Sequence, residues 1–200
     1  LKIAEEWGEE DLYQGYQSEN EVFLAVAQGK ADIGITTNTA VKPISKLYEL
    51  WCLGNLLEIL EGITGHEARG SSIDKEYRFG EDLRLHYNRS LRRHSRYLRD
   101  ELGVGPGQPD FALEVDGTIV WIGDAKFKTD VRLSDYQRFL TYLIDLLPPE
   151  HASTIFYVED DSRSRAEVRD YPIDHVSLRP TNREQAIKTT KNSFLTLLDS

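Results

Sequence analysis

"QPDFALEVDGTIVWIGDAKFKTD", residues 108–130, sets two apolar runs on either side of Asp116-Gly117 and places Asp110, Asp124 and Lys126 at their far ends. Asp-Gly between apolar runs is a strong hairpin signal. Ile119, Val120, Trp121 and Ile122 make both faces of the second run apolar, which marks a central strand covered on each side. Successive strand side chains alternate faces, so Asp124 and Lys126 share one face and the small Ala125 takes the other. Charges at the end of such a strand lie at the rim of a core.

The turn decides whether Asp110 joins them. A two-residue turn pairs Val115 with Thr118 and sends Asp110 to the face opposite Asp124. A three-residue loop, Val115 to Gly117 with a left-handed Gly117 in a bulge, pairs Asp110 with Ile122 and keeps Asp124 as a diagonal neighbour on the same face. The sequence predicts the second arrangement, or an equivalent bulge nearer Asp110. Two carboxylates brought together in a core must be neutralised. Mg²⁺, with Mn²⁺ as a substitute, suits them: a hard ion held by one or two carboxylates keeps positions for water and phosphate oxygen. Lys126 then orients the water or neutralises developing charge.

Outward from the hairpin, Pro43 opens a helix in which Ile44, Leu47, Tyr48, Trp51, Leu53, Leu56, Leu57 and Leu60 recur at three and four residues, stopped by Gly62 and Gly65. The stretch 77–91 alternates through Leu83, Leu85 and Tyr87 as one half-exposed strand. Downstream, Ser134 serves as N-cap of a helix closing before Pro148 and Pro149. Residues 153–160, 166–172 and 175–180 read as strands and Arg183 to Leu198 as a last helix. Near the start, Glu5, Glu6, Glu9, Glu10, Asp11, Glu19 and Glu21 face a single Lys2, followed by a short helix from Glu21 to Gln28. The expected organisation is a peripheral segment over 1–40 and one compact domain over 41–200: an α/β fold with a central mixed β-sheet flanked by helices.

Two hundred residues, 40% of them hydrophobic, support one core without metal or disulfide help. Cys52 is the only cysteine, which excludes an intrachain disulfide and fits a reducing cytoplasm. The apolar stretches are broken by Glu58 and Asp145, so a soluble chain with no membrane span is expected. With 34 acids against 24 bases the net charge is −10, which excludes coating of nucleic acid by bulk charge. The glycines of "GVGPGQPD" precede a strand, whereas phosphate-cradling loops follow one and open a helix. No paired histidine spacing and no GxSxG elbow supports zinc or serine hydrolysis.

Pro109-Asp110 followed by Asp124-Ala125-Lys126 resembles the PD-(D/E)xK nuclease superfamily, the restriction-endonuclease-like fold. The resemblance implies Mg²⁺-dependent hydrolysis of DNA phosphodiesters, with Asp110 and Asp124 as metal ligands and Lys126 as the catalytic lysine. Upstream, "LYELWCLGNLLEIL" looks like the helix that supplies a further acid, here Glu49, also a metal ligand. With "SDYQRFLTY" downstream, the chain is similar over residues 47–142 to the McrC-like nuclease subunits of McrBC restriction systems. Related nucleases carry a polar accessory residue on the helix after the catalytic strand, which points to Gln137.

From Arg84 to Arg99 there are six arginines, two histidines and no acid, an inversion of the overall charge. Such a run is often a solvated face. Its place just before the candidate site instead nominates Arg89, Arg92, Arg93, Arg96 and Arg99 as DNA contacts. The expected function is a DNA endonuclease of a restriction or defence system, with a separate DNA-recognition or NTPase subunit as partner and a homodimer where both strands are cut. The alternatives are an inactive nucleic-acid-binding or assembly module on the same fold, and a repair or junction-resolving nuclease.

Overall fold

The protein is described from a computed structural model over residues 44–71, 75–98, 103, 107–127, 133–148, 151, 153–157, 165–168, 170–179 and 182–198. The acidic segment, the Glu21–Gln28 helix and Arg99 lie outside the described residues.

Helix α1 (Ile44–Thr64) buries all of Trp51 to Leu57, because apolar side chains there surround the helix rather than forming one stripe. Gly62 lies inside it; the stop is Gly65, whose φ of 69° and N–H bond to the Glu61 carbonyl make a left-handed cap. Then come β1 (Arg69–Ser71), β2 (Glu76–Phe79), β3 (Leu83–Tyr87), a 3-10 turn (Arg92–His94), β4 (Phe111–Val115), β5 (Thr118–Lys126), α2 (Leu133–Leu146), β6 (Ser153–Tyr157), β7 (Arg165–Val168), β8 (Tyr171–Ser177) and α3 (Arg183–Leu198).

All eight described strands join one sheet in the order β1-β2-β3-β4-β5-β6-β8-β7. Pairing is antiparallel from β1 to β5, parallel between β5 and β6 and between β6 and β8, and antiparallel again at β7. Helix α2 is the crossover that a parallel β5–β6 pair requires. Helices α1 and α3 cover one face, where Trp121, Phe111, Phe156 and Phe194 pack; α2 covers the other over Ile119, Ile122 and Ile155. The expected α/β architecture, a mixed sheet flanked by helices, is therefore present. No described helix is long and apolar enough to cross a membrane.

The structure corrects four local expectations. The stretch 77–91 is a hairpin rather than one strand: Gly80, at φ 74°, turns the chain and pairs Phe79 with Leu83. Helix α2 starts at Leu133, so Ser134 sits in its first turn and does not cap it. At the C-terminal strands, residues 171–177 form one strand straight through Pro172. The Asp116-Gly117 turn has two residues, not three; Val115 pairs with Thr118, and φ values of 49° and 80° give the mirror-image turn that suits strand twist.

A bulge restores what the two-residue turn removes. Glu114 pairs with Ile119 but Leu113 pairs with Trp121, so Val120 is the extra residue. Ile119 packs beneath α2, whereas Val120 and Trp121 both pack on the α1 side, which reverses the alternation. Phe111 then pairs with Gly123, so Asp110, one residue before β4, falls on the parity of Asp124. Ile122 thus pairs with Ala112 rather than with Asp110, and the bulge at Val120, not a three-residue turn, is what leaves Asp110 and Asp124 on one face.

Candidate active site

Asp124 and Lys126 project from the C-terminal end of β5 on the α2 face, 1% and 7% exposed, so neither charge is solvated. Lys126 Nζ is ion-paired with Asp124 Oδ2 and lies 3.9 Å from Asp110 Oδ2. Asp124 Oδ2 is buried and takes no directional hydrogen bond, so its charge is met by the ammonium alone among the described residues. Asp110 Oδ2 accepts the Ala125 N–H at 2.8 Å, pinning the carboxylate to β5. Burial pushes the Asp110 carboxyl well above the usual carboxylate range, and the Asp124 and Glu49 carboxylates add to this against the pull of Lys126 and the Ala125 N–H.

Glu49 belongs to the same locality although it comes from α1. Asn88, held at φ 47°, donates its backbone N–H to the Asp110 carbonyl at 2.9 Å and its side-chain amide to Glu49 Oε1. Asn88 thus ties the helix acid to the strand acid. Lys46 also reaches Glu49 Oε1, at 2.7 Å, and lies over the Tyr87 ring. Sequence reasoning passed over Asn88; its only signal was an asparagine at the end of an alternating run, where a left-handed residue is tolerated.

Gln137 is exposed on α2, where its backbone carbonyl accepts the Thr141 hydroxyl at 3.0 Å. Tyr142 on the same helix is the residue near the acids: burial raises its hydroxyl pKa, Asp124 and Asp110 raise it further, and Arg138 opposes them. Its ring lies flush on Gly107, where any Cβ would fall within 1.9 Å of it.

The arginines do not converge on these acids. Arg89 pairs with Glu76, and Arg93 Nη2 pairs with Glu114 at 2.9 Å. Arg92 is exposed, and Arg96 bonds the Leu147 carbonyl and stacks on Tyr97. Glu114 lies four residues along β4 from Asp110, roughly 13 Å at about 3.3 Å per residue. It is surrounded by Arg84 at 2.5 Å, His86 at 2.8 Å and His94 at 3.1 Å. Burial alone would raise the Glu114 carboxyl, but hydrogen bonds from His86, Arg93 and Arg84 outweigh it and hold the group down at about 2. His86, His94 and Glu114 present ligand atoms within 4.8 Å of one another, though the two guanidinium groups on Glu114 oppose a second cation there.

The chain matches no family model and no curated protein.

Proposed function

We propose that the protein is a Mg²⁺-dependent nuclease that hydrolyses DNA phosphodiesters at Asp110, Asp124 and Lys126. One observation carries this reading: two acids from neighbouring strands and a lysine meet on one buried sheet face, with the Asp110 carboxyl held above its ordinary range. The donor set fits a hard divalent ion: carboxylate oxygens alone, one of them buried without a directional partner, and Glu49 close enough to raise the Asp110 pKa.

Asp110 and Asp124 would hold the ion, with Glu49 completing the set once Lys46 and Asn88 give way. When bound, Mg²⁺ would lower the pKa of a coordinated water and offset charge on the phosphate. Lys126, which lies beside both carboxylates, would orient the attacking water or donate to the phosphoryl oxygens as negative charge builds. The Ala125 N–H keeps Asp110 aimed at the strand end throughout.

A restriction or defence setting, with a separate recognition or NTPase subunit, is the extension we favour. The net charge of −10 leaves the chain poorly suited to hold duplex DNA without help.

The test is incubation of supercoiled, branched and methylated DNA with Mg²⁺ or Mn²⁺, using the wild type, Asp124→Ala and Lys126→Ala. Metal-dependent cutting by the wild type, lost in both variants and in EDTA while DNA binding persists, supports the enzyme. A wild type that binds DNA but leaves every substrate intact selects the binding module instead. Full, specific cutting without any helper would remove the partner from the reading.

A further inference from the structure

The half of the α2-side sheet face beyond β4 carries charge where core is expected. Arg69 stands opposite Arg78 across β1 and β2, and Arg78 stands opposite Arg84 across β2 and β3. Like charges directly opposite on neighbouring strands are destabilising. Three arginines in one cross-strand row therefore call for an anion.

Two acids answer only part of that demand. Glu76 accepts Arg78 Nε at 2.8 Å and also pairs with Arg89, while Glu114 serves both Arg84 and Arg93. His86 lies between the acids, its Nε2 on Glu114 and its Nδ1 3.7 Å from Glu76. Five arginines, Arg69, Arg78, Arg84, Arg89 and Arg93, and Glu76 line a cavity of about 470 Å³. Counting Glu114 beside it, five guanidinium groups face two carboxylates and leave, among the described residues, an excess of three positive charges. That excess sits in a chain of net charge −10.

Each carboxylate holds two arginines at once, which fixes the forks before any ligand arrives. Guanidinium forks match phosphate oxygens in pairs. Arg84 Nε is buried with no hydrogen-bond partner among the described residues, a donor not yet satisfied. Arg78 and Arg93 remain more than half exposed, which leaves the mouth open. The volume falls within the range of about 300–1,000 Å³ typical of small-molecule pockets.

We propose that this cavity is a phosphate-binding site, distinct from the Asp110–Asp124–Lys126 centre, that takes a phosphate monoester. The surplus favours a doubly charged monoester over the singly charged diester of an unbroken strand. At roughly 13 Å along β4 from Asp110, one phosphate group cannot occupy both places. The 5′ end of a DNA strand and a free nucleotide share this chemistry.

Binding is measured on the full chain in EDTA, so that no cutting enters and failure of the nuclease reading leaves the result unaffected. A fluorescent oligonucleotide bearing a 5′-phosphate is compared with its 5′-hydroxyl twin, with AMP and pyrophosphate as competitors. The expected result is at least tenfold tighter binding of the phosphorylated strand, abolished in the double variant Arg69→Gln/Arg78→Gln. Lys188→Gln, an exposed change on α3, retains it, and thermal melts establish that both variants fold. Competition by AMP and pyrophosphate without strand-end preference makes a free nucleotide the source and keeps the site. Wild type and double variant binding every phosphate probe alike overturns the proposal.

Discussion

At the scale of single residues, the Asp110 carboxyl sets two measurable expectations. Its folded pKa is raised above the unfolded value of about 3.9. The folded chain therefore keeps a proton that the unfolded chain releases, and this contribution to stability is present below pH 4 and lost as pH rises through the folded pKa. A metal ligand must be deprotonated, so Mg²⁺ affinity should rise with pH over the same window, and binding should release a proton. Calorimetry in two buffers of different ionisation enthalpy reads that proton directly; binding that releases no proton, with an affinity that does not rise with pH above the unfolded value, would sink the metal assignment for Asp110. Lys126 gives the second expectation. Removing one partner of a buried ion pair costs about 3–5 kcal/mol, because the other charge stays behind. Lys126→Met should lose stability on that scale at neutral pH, whereas Lys126→Met with Asp124→Asn should lose less, as no charge is left unmatched. Urea unfolding that ranks the double variant below the single one contradicts the pairing.

At the scale of elements, the bulge at Val120 absorbs the one residue by which β5 outnumbers β4 between the turn and the acids. Deleting Val120 should therefore leave Glu114 opposite Ile119, Leu113 opposite Trp121 and Phe111 opposite Gly123, with regular alternation that keeps Asp110 and Asp124 on one face. The expected outcome is a folded sheet that retains metal-dependent cutting, read by circular dichroism beside the plasmid assay. A deletion variant that folds but no longer cuts contradicts this register. The same bulge explains where the sequence stopped being informative. Asp-Gly announced the hairpin, and the Asp-x-Lys spacing fixed a common face for Asp124 and Lys126. Ile119, Val120, Trp121 and Ile122 are apolar on both parities, so a one-residue slip exposes nothing polar and leaves no mark in the pattern. The turn could be misjudged while the face of Asp110 was not. The β2–β3 turn was legible in Gly80-Glu81-Asp82, but the alternation of Leu83, Leu85 and Tyr87 hid it. Glu49 entered only through a family resemblance, since nothing in a helix pattern tells a site acid from a solvated one. The pairing of Arg89 and Arg93 with Glu76 and Glu114 joins residues 13 and 21 apart and had no local signature.

At the scale of the whole molecule, the sheet separates stability from chemistry by face. Trp121 lies on the α1 side of β5, buried, with its ring edge-on to Phe194 at 5.0 Å, tilted against Phe156, and its Nε1 on the Thr154 hydroxyl at 3.1 Å. It joins β5, β6 and α3 into one core, three residues from Asp124 yet on the other face. Trp121→Phe keeps much of that packing, and Trp121→Ala should cost about 3–5 kcal/mol, a large share of a domain's total of about 5–15 kcal/mol. Gly123 beside it is fixed by the same ring, because a Cβ there would fall 2.2 Å from the indole. Asp110 and Asp124 stand on the α2 side, held by the Ala125 N–H and by Lys126, while Glu49 reaches the site from α1 through Asn88. They should therefore keep their geometry in whatever fraction of Trp121→Ala remains folded. The variant should melt well below the wild type and still cut at a near wild-type rate per folded molecule under its own melting temperature. Lys126→Met should show the reverse, with cutting lost even where the chain is fully folded. Parallel denaturation and single-turnover cleavage on the two variants check the separation. Loss of cutting in folded Trp121→Ala would mean that the two faces of β5 do not act independently.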